Sequence, residues 1–383
     1  MTKPSVKSNS RSAATRSATT RWAVLAAAGA ALLAVTAGAL PAGASELAGE
    51  APFRATVDAQ EPLDRAALQK ALGELPDGVL TGATARVGGR DGRWTGTAGR
   101  VSASPDASFR IGSITKLFTS TVTLQLAAEG RLRLDTPVQR ILPGTLPAHW
   151  QPITVEQLLS HTSGMPRAAC WNPHTVYTPA ELVKTVTECP EAGEPATGKD
   201  ITQVYNGVNY FLLGMAIEKV THRSYAEEVQ RRIARPLGLR QTYVPARGDT
   251  SLPEPALAEL PPADPWAWAE GGMVSNAPEL ERFLNNLLRG RLLPPAQQQL
   301  LFELPAHHER GFTRAGVQYA KLPDGTEVYG KSGSYGGFTS GVFATRDRSR
   351  SLVYSVTPVP GAPEQQIIDR YMGIARAAFR LRP

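Results

Sequence analysis

Ser113-Ile114-Thr115-Lys116 sets a hydroxyl and an amine three residues apart at the head of an apolar, helix-like run. Three residues apart on a helix is one face, so the Lys116 amine reaches back toward Ser113 Oγ and helps to draw off its proton. A serine activated in this way attacks a carbonyl. S-x-x-K alone is a common string, but its flanks support the reading. Phe109-Arg110-Ile111-Gly112 is strand-like and ends in Gly, and the run from Leu117 to Leu126 keeps helical spacing up to Gly130. Ser113 is therefore expected at a helix N-terminus, where unpaired N–H groups and the positive end of the macrodipole favour developing negative charge.

Two downstream segments supply what such a serine needs. Val204-Tyr205-Asn206-Gly207 is a polar turn entering an apolar helix, and the Tyr205 phenol suits a proton shuttle if the Lys116 ammonium lowers its pKa. Lys331-Ser332-Gly333-Ser334 lies among strand-like segments whose glycines leave room for a peptide-like substrate along a strand edge. Lys331 and the Ser332 hydroxyl are then expected to meet a carboxylate, and the Ser334 N–H to join that of Ser113 in an oxyanion hole.

Other strings compete less well. Gly325-Thr326-Glu327-Val328-Tyr329-Gly330-Lys331-Ser332 matches the phosphate-binding pattern G-x-x-x-x-G-K-[ST]. That loop needs a buried strand before it and a helix starting at Lys-Ser, whereas here a turn precedes a strand and Gly333-Ser334-Tyr335-Gly336-Gly337 is a poor helix start. His161 follows an apolar run and reads as a hydrogen-bonded loop histidine rather than a triad base. His307-His308-Glu309 lacks metal-ligand spacing and reads as a surface loop, so no metal and no cofactor are expected.

The ordered set Ser113/Lys116, Tyr205 and Lys331-Ser332-Gly333 resembles the penicillin-recognising serine hydrolases, most closely the branch of secreted D-alanyl-D-alanine carboxypeptidases and class C β-lactamases. Thr154–Gly164, containing Leu158-Leu159-Ser160-His161-Thr162-Ser163-Gly164, and Gly271-Gly272-Met273 resemble further signatures of that branch. The likeness implies an acyl-enzyme on Ser113, Lys116 and Tyr205 as the proton-transfer pair, and Lys331-Ser332-Gly333 in the place of K-T-G or H-T-G. It implies an α+β fold of the β-lactamase/DD-peptidase type, with an antiparallel sheet flanked by helices and an inserted all-α lobe. The substrate it implies is an acyl-D-Ala-D-Ala peptide, a β-lactam or an ester. A D-alanyl-D-alanine carboxypeptidase is the leading activity, a β-lactamase or esterase the alternative, and a catalytically silent penicillin-binding or cell-wall sensor module the reading from another class. The chain departs from the branch at Tyr-x-Asn, whose amide, the likeness implies, contacts the lysine and the substrate's acylamino carbonyl: Gly207 stands where the asparagine should be, Asn206 holds the x position, and Asn209 is a nearby substitute.

The pattern along the chain agrees with two lobes. Strand-like segments occur at Gly82–Val101 and Val317–Val356, helices dominate between them, and Gln365–Phe379 reads as a terminal helix. The sheet lobe is expected over about 45–112 and 266–383 and the helical lobe over about 113–265, with the site between. Lys3, Lys7, Arg11, Arg16 and Arg21 precede an apolar stretch from Trp22 to Leu40 and then Ala42-Gly43-Ala44, which reads as a cleaved signal peptide over 1–44 rather than an anchor. The 41 Lys and Arg less these five leave 36 against 34 Asp and Glu, so the net charge of +7 is mostly the leader and nucleic acid is not implicated. A secreted, cell-wall-associated monomer is expected. Export favours pairing of Cys170 with Cys189, the only cysteines. The exported protein should begin near Ser45 and show no titratable thiol when unfolded without reductant. N-terminal sequencing that returns Met1, or two free thiols, would contradict this.

Overall fold

The computed structural model describes residues 63–90, 92–100, 104, 106–167, 170–172, 175, 177–198, 201–249, 251 and 267–380. The expected leader and the Pro-rich stretch from Pro253 to Pro265 lie outside the described residues. Among those described, β1 (Leu80–Gly89), β2 (Trp94–Gly99), β5 (Gly311–Phe312), β6 (Gln318–Lys321), β7 (Glu327–Tyr335), β8 (Phe338–Thr345) and β9 (Arg350–Pro358) form one antiparallel sheet. Its order is β2-β1-β9-β8-β7-β6-β5, so the last strand of the chain inserts beside the first. A two-stranded ladder of β3 (Phe109–Arg110) and β4 (Val274–Ser275) ties the approach to Ser113 to the segment that precedes a long helix. The fold is α+β, as the resemblance implies.

Each face of the sheet is covered. On one face lie α1 (Arg65–Leu72) and the C-terminal helix α9 (Glu364–Phe379), where Leu68, Leu72, Tyr371 and Ile374 meet Val87, Leu352 and Tyr354. The other face packs against α8 (Ala277–Leu288) and the helical part beyond it. The apolar stripe of α8 is read directly from its spacing: Leu280, Phe283, Leu284 and Leu287 are all buried. Asn276 caps it by accepting from the Glu279 N–H.

The helical part is built from α2 (Thr115–Ala128), α3 (Val155–Leu159), α4 (Pro179–Thr187), α5 (Val208–Thr221), α6 (Tyr225–Val229) and the short α7 (Trp268–Gly271). Capping boxes at Thr154/Gln157, Thr178/Glu181 and Ser224/Glu227 start α3, α4 and α6. α2 is buried nearly all round and yet rich in threonine. Its Thr121 and Thr123 hydroxyls donate to the carbonyls of Leu117 and Thr119, which makes these polar side chains compatible with the core. Cys170 and Cys189 are bonded to each other and close a loop that ends at the C-terminus of α4. Lys331 and Ser332 stand in the middle of β7, which runs on to Tyr335, so the phosphate-loop string has neither a loop nor a helix. No helix among the described residues is long and apolar enough to cross a membrane.

Phe118 of α2 and Phe283 of α8 stack with centroids 3.8 Å apart and are both fully buried, joining the helical part to the sheet cover. Phe283→Ala should therefore lower unfolding stability by about 3–5 kcal/mol, the range for a large buried aromatic. Denaturant unfolding of the two proteins checks this, and a loss below about 1 kcal/mol would contradict it.

Candidate active site

Gly112–Ile114 forms a single 3₁₀ turn leading into α2, which lifts Ser113 out of the core while Lys116 is carried into it. Lys116 is fully buried, and its Nζ lies 3.2 Å from Ser113 Oγ. Tyr205 OH lies 2.6 Å from the same Oγ. The two expected proton-transfer groups thus converge on the expected nucleophile, from one element beside it and one 92 residues away.

The backbone around the serine requires glycine at two positions. A Cβ at Gly112, which has φ +52°, would sit 2.5 Å from Ser334 N, and one at Gly333 would sit 2.8 Å from Ser113 N. Without a Cβ at either position the Ser113 turn approaches the Gly333–Ser334 backbone of β7 closely, which leaves the two amides as candidates to hold an oxyanion.

Glu270 is a member of this site that the sequence reading missed. Its Oε1 lies 2.9 Å from Lys116 Nζ, and its backbone carbonyl accepts from the same ammonium at 2.7 Å. Burial alone draws Lys116 down, but the Glu270 carboxylate and then the Tyr205 oxygen outweigh it, leaving the amine above the usual lysine range. Glu270 is the partner that matters at neutral pH, because Tyr205 stays protonated. Burial pushes the Tyr205 phenol up more than Lys116 pulls it down. The expected lowering of the Tyr205 pKa is therefore reversed, since desolvation of a fully buried phenol exceeds the attraction of one ammonium.

A cluster of rings holds Tyr205. His161 lies tilted against it at 4.6 Å, and Phe312 of β5 stacks on it at 5.4 Å. Burial, with Lys116 and Lys331 nearby, drives His161 well below its usual pKa, so it is neutral. Its Nδ1 accepts from the Asn206 N–H at 3.2 Å, as suits a loop histidine held by the backbone. His161 and Trp268 both have left-handed backbone, at φ 60° and 42°. Two such residues within one site mark it as built against local preference.

Lys331 and Ser332 face the site differently from the sequence expectation. Lys331 is buried, with Nζ donating to the Ser332 carbonyl at 2.8 Å, and burial followed by the Lys116 charge drives it well below the usual lysine range. Ser332 Oγ donates to Gln318 Oε1 of β6 at 3.2 Å. Neither asparagine near Tyr205 reaches the serine. Asn206 Nδ2 donates to the carbonyls of Met165 and Pro166, while Asn209 Oδ1 accepts from Ser163 Oγ.

A serine flanked by a buried lysine and a tyrosine, beside a strand edge and under an antiparallel sheet, defines the class of active-site serine hydrolases that work through an acyl-enzyme. The family model "Beta-lactamase" matches residues 65–377, and the chain belongs to that family. It is similar to penicillin-binding protein 4 of Amycolatopsis lactamdurans, at 34% identity over 41% of this chain and 39% of that protein. Protein flp of Staphylococcus aureus is 27% identical over 53% of this chain and 42% of its own. The matches thus span about two fifths of the length of these curated relatives. Among solved structures, D-stereospecific amidohydrolase from Streptomyces sp. superposes with a TM-score of 0.70 at 33% identity, covering 82% of this chain and 98% of its own. D-amino acid amidase from Ochrobactrum anthropi SV3 shares the fold at a TM-score of 0.67 and 23% identity, again over 82% and 98%.

Ser113→Ala should abolish acyl-enzyme formation with a labelled penicillin while leaving the circular dichroism spectrum unchanged. Tyr205→Phe should slow acylation by about a hundredfold or more. An adduct mapped by peptide mass to another residue, or a Tyr205→Phe rate near wild type, would remove these residues from the chemistry.

Proposed function

We propose that this protein is a serine amidohydrolase that transfers the acyl group of a D-configured amide or ester to Ser113 and then to water. The observation that carries it is the convergence of Tyr205 OH at 2.6 Å and Lys116 Nζ at 3.2 Å on Ser113 Oγ. In this reading Ser113 Oγ bonds to the carbonyl carbon, with the oxyanion held by the Ser113 and Ser334 N–H groups. Tyr205 takes the serine proton as it gives its own to the leaving nitrogen or oxygen, whose bond to carbon breaks, while the Lys116 ammonium keeps its proton and steadies the charge that develops. Water then enters by the reverse path, and the serine recovers its proton.

The leaving group follows from Lys331. A carboxypeptidase acting on acyl-D-alanyl-D-alanine needs a cation for the terminal carboxylate. Here the candidate is buried and donates to Ser332 O, and burial draws its pKa down, so it is poorly placed to meet a carboxylate. An uncharged leaving group, ammonia or an alcohol, makes no such demand. Likeness to the Streptomyces D-stereospecific amidohydrolase across 82% of the chain supports the same choice and the D configuration. Export through residues 1–44 is part of the proposal and would place the enzyme outside the cell.

The test is one D-acyl group presented as a primary amide, as a methyl ester and as a dipeptide with a free carboxylate. The amide and ester should exceed the dipeptide in kcat/KM by at least about tenfold, the worth of one missing charge-assisted contact. The L forms should be poor substrates. A dipeptide cleaved as fast as its amide would return the assignment to a carboxypeptidase.

A further inference from the structure

Gly207 leaves a space that another part of the chain fills. A Cβ at Gly207 would lie 2.5 Å from Glu270 Oε1, 2.9 Å from its Cγ and 3.0 Å from its Cδ. The Glu270 carboxylate therefore stands where the asparagine of Tyr-x-Asn would project. It also does one of the things expected of that amide, since the same Oε1 holds Lys116 Nζ at 2.9 Å. Asn206 Nδ2 donates to the Met165 and Pro166 carbonyls and Asn209 Oδ1 accepts from Ser163 Oγ, so neither asparagine holds Lys116.

A carboxylate does not do the amide's other work. It has no N–H to give to the carbonyl of an acylated substrate nitrogen, and its charge repels that oxygen. It does attract a cation. Glu270 Oε2 has no partner among the described residues, and the side chain is 24% exposed, whereas Lys116 beside it is fully enclosed. Lys331, the other nearby amine, is buried and donates to Ser332 O. One oxygen of Glu270 is thus committed to Lys116, and the part-exposed carboxylate keeps its other oxygen for a second cation.

We infer that Glu270 Oε2 receives the free α-ammonium of the substrate, so that Gly207 and Glu270 together select unacylated D-aminoacyl amides and esters. The inference rests on the amidohydrolase reading above and names its substrate. The geometry agrees with the chemistry. An α-nitrogen is two bonds from the carbonyl carbon that Ser113 attacks, and Glu270 and Ser113 are the two groups that Lys116 Nζ touches at 2.9 and 3.2 Å. A charge-assisted contact made at this place also orients the acyl group over the nucleophile. Glu270 is then both a substrate-binding group and a positioning residue for Lys116.

The experiment compares D-alanine p-nitroanilide with its N-acetyl form on the mature protein. Wild type should prefer the free amine by about a hundredfold in kcat/KM, and Glu270→Gln, which keeps shape but loses charge, should erase most of that ratio. Gly207→Asn alone should slow both substrates, because its side chain meets Glu270. Combined with Glu270→Ala, it should turn the preference toward the N-acetyl form. As a measurement that needs no variant, D-alaninol should inhibit wild type competitively at concentrations where N-acetyl-D-alaninol does not. A wild type that prefers the N-acetyl substrate, or a ratio unchanged in Glu270→Gln, would overturn the inference while leaving the amidohydrolase standing. Absence of both turnover and a Ser113 adduct with either anilide would overturn the amidohydrolase reading itself.

Discussion

An ammonium group with no access to water must be surrounded by compensation, and much of this molecule is arranged around that demand at Lys116. The group is met by the Glu270 carboxylate, the Glu270 carbonyl and the Ser113 hydroxyl. The faces of Tyr205 and Tyr210 lie 4.9 and 5.4 Å away, where a cation is attracted to the ring. These partners come from three separate stretches of chain. Burying the charge thereby fixes the relative positions of the nucleophile turn, the Tyr205 turn and the 268–273 segment.

The same segment is stitched along one side of α2. Thr119 Oγ1 donates to Ala269 O, Lys116 Nζ to Glu270 O, and Met273 N to Thr115 Oγ1. Arg110 of β3 reaches Gly272 O, and the Ile111 N–H bonds Met273 O. The threonines of α2 that are unusual for a buried helix thus help to satisfy the backbone of the short α7 and of the turn after it in the core. Trp268 anchors the start of the segment, its ring packed 5.4 Å from that of Tyr225. The left-handed conformation at Trp268 is held by this packing, and so is the direction in which Glu270 projects.

What the sequence discloses about the site is what neighbours in sequence determine. Ser113 and Lys116 are on one helical face, and Gly333 beside Ser334 marks a close backbone approach, so both could be read from spacing. The helices were legible through their caps and apolar periods, and the strands through their turns. Glu270 was not legible, because its partner Lys116 lies 154 residues away and Trp-Ala-Glu-Gly-Gly carries no pattern that aims a carboxylate. The vacancy at Gly207 could be seen, but its filling belongs to a contact across the fold. The direction of the Tyr205 pKa and the enclosure of Lys331 escaped for a related reason. Both depend on how much water the finished core excludes, which residue types alone do not report.

The placement of β9 between β1 and β8 has a consequence for how the protein comes into being. Leu80 pairs with Pro358 and Gly89 with Arg350, so the first long strand waits for nearly the whole chain before its inner edge is occupied. In vectorial synthesis the helical segments emerge with local partners, while β1 and β2 remain an isolated hairpin with an open edge. β8, which braces the strand carrying Ser334, likewise lacks its outer neighbour until β9 arrives. The Ser334 amide beside Ser113 is thus held in a completed sheet only after the last strand has been made. A nascent chain carries its serine long before it carries the means to use it.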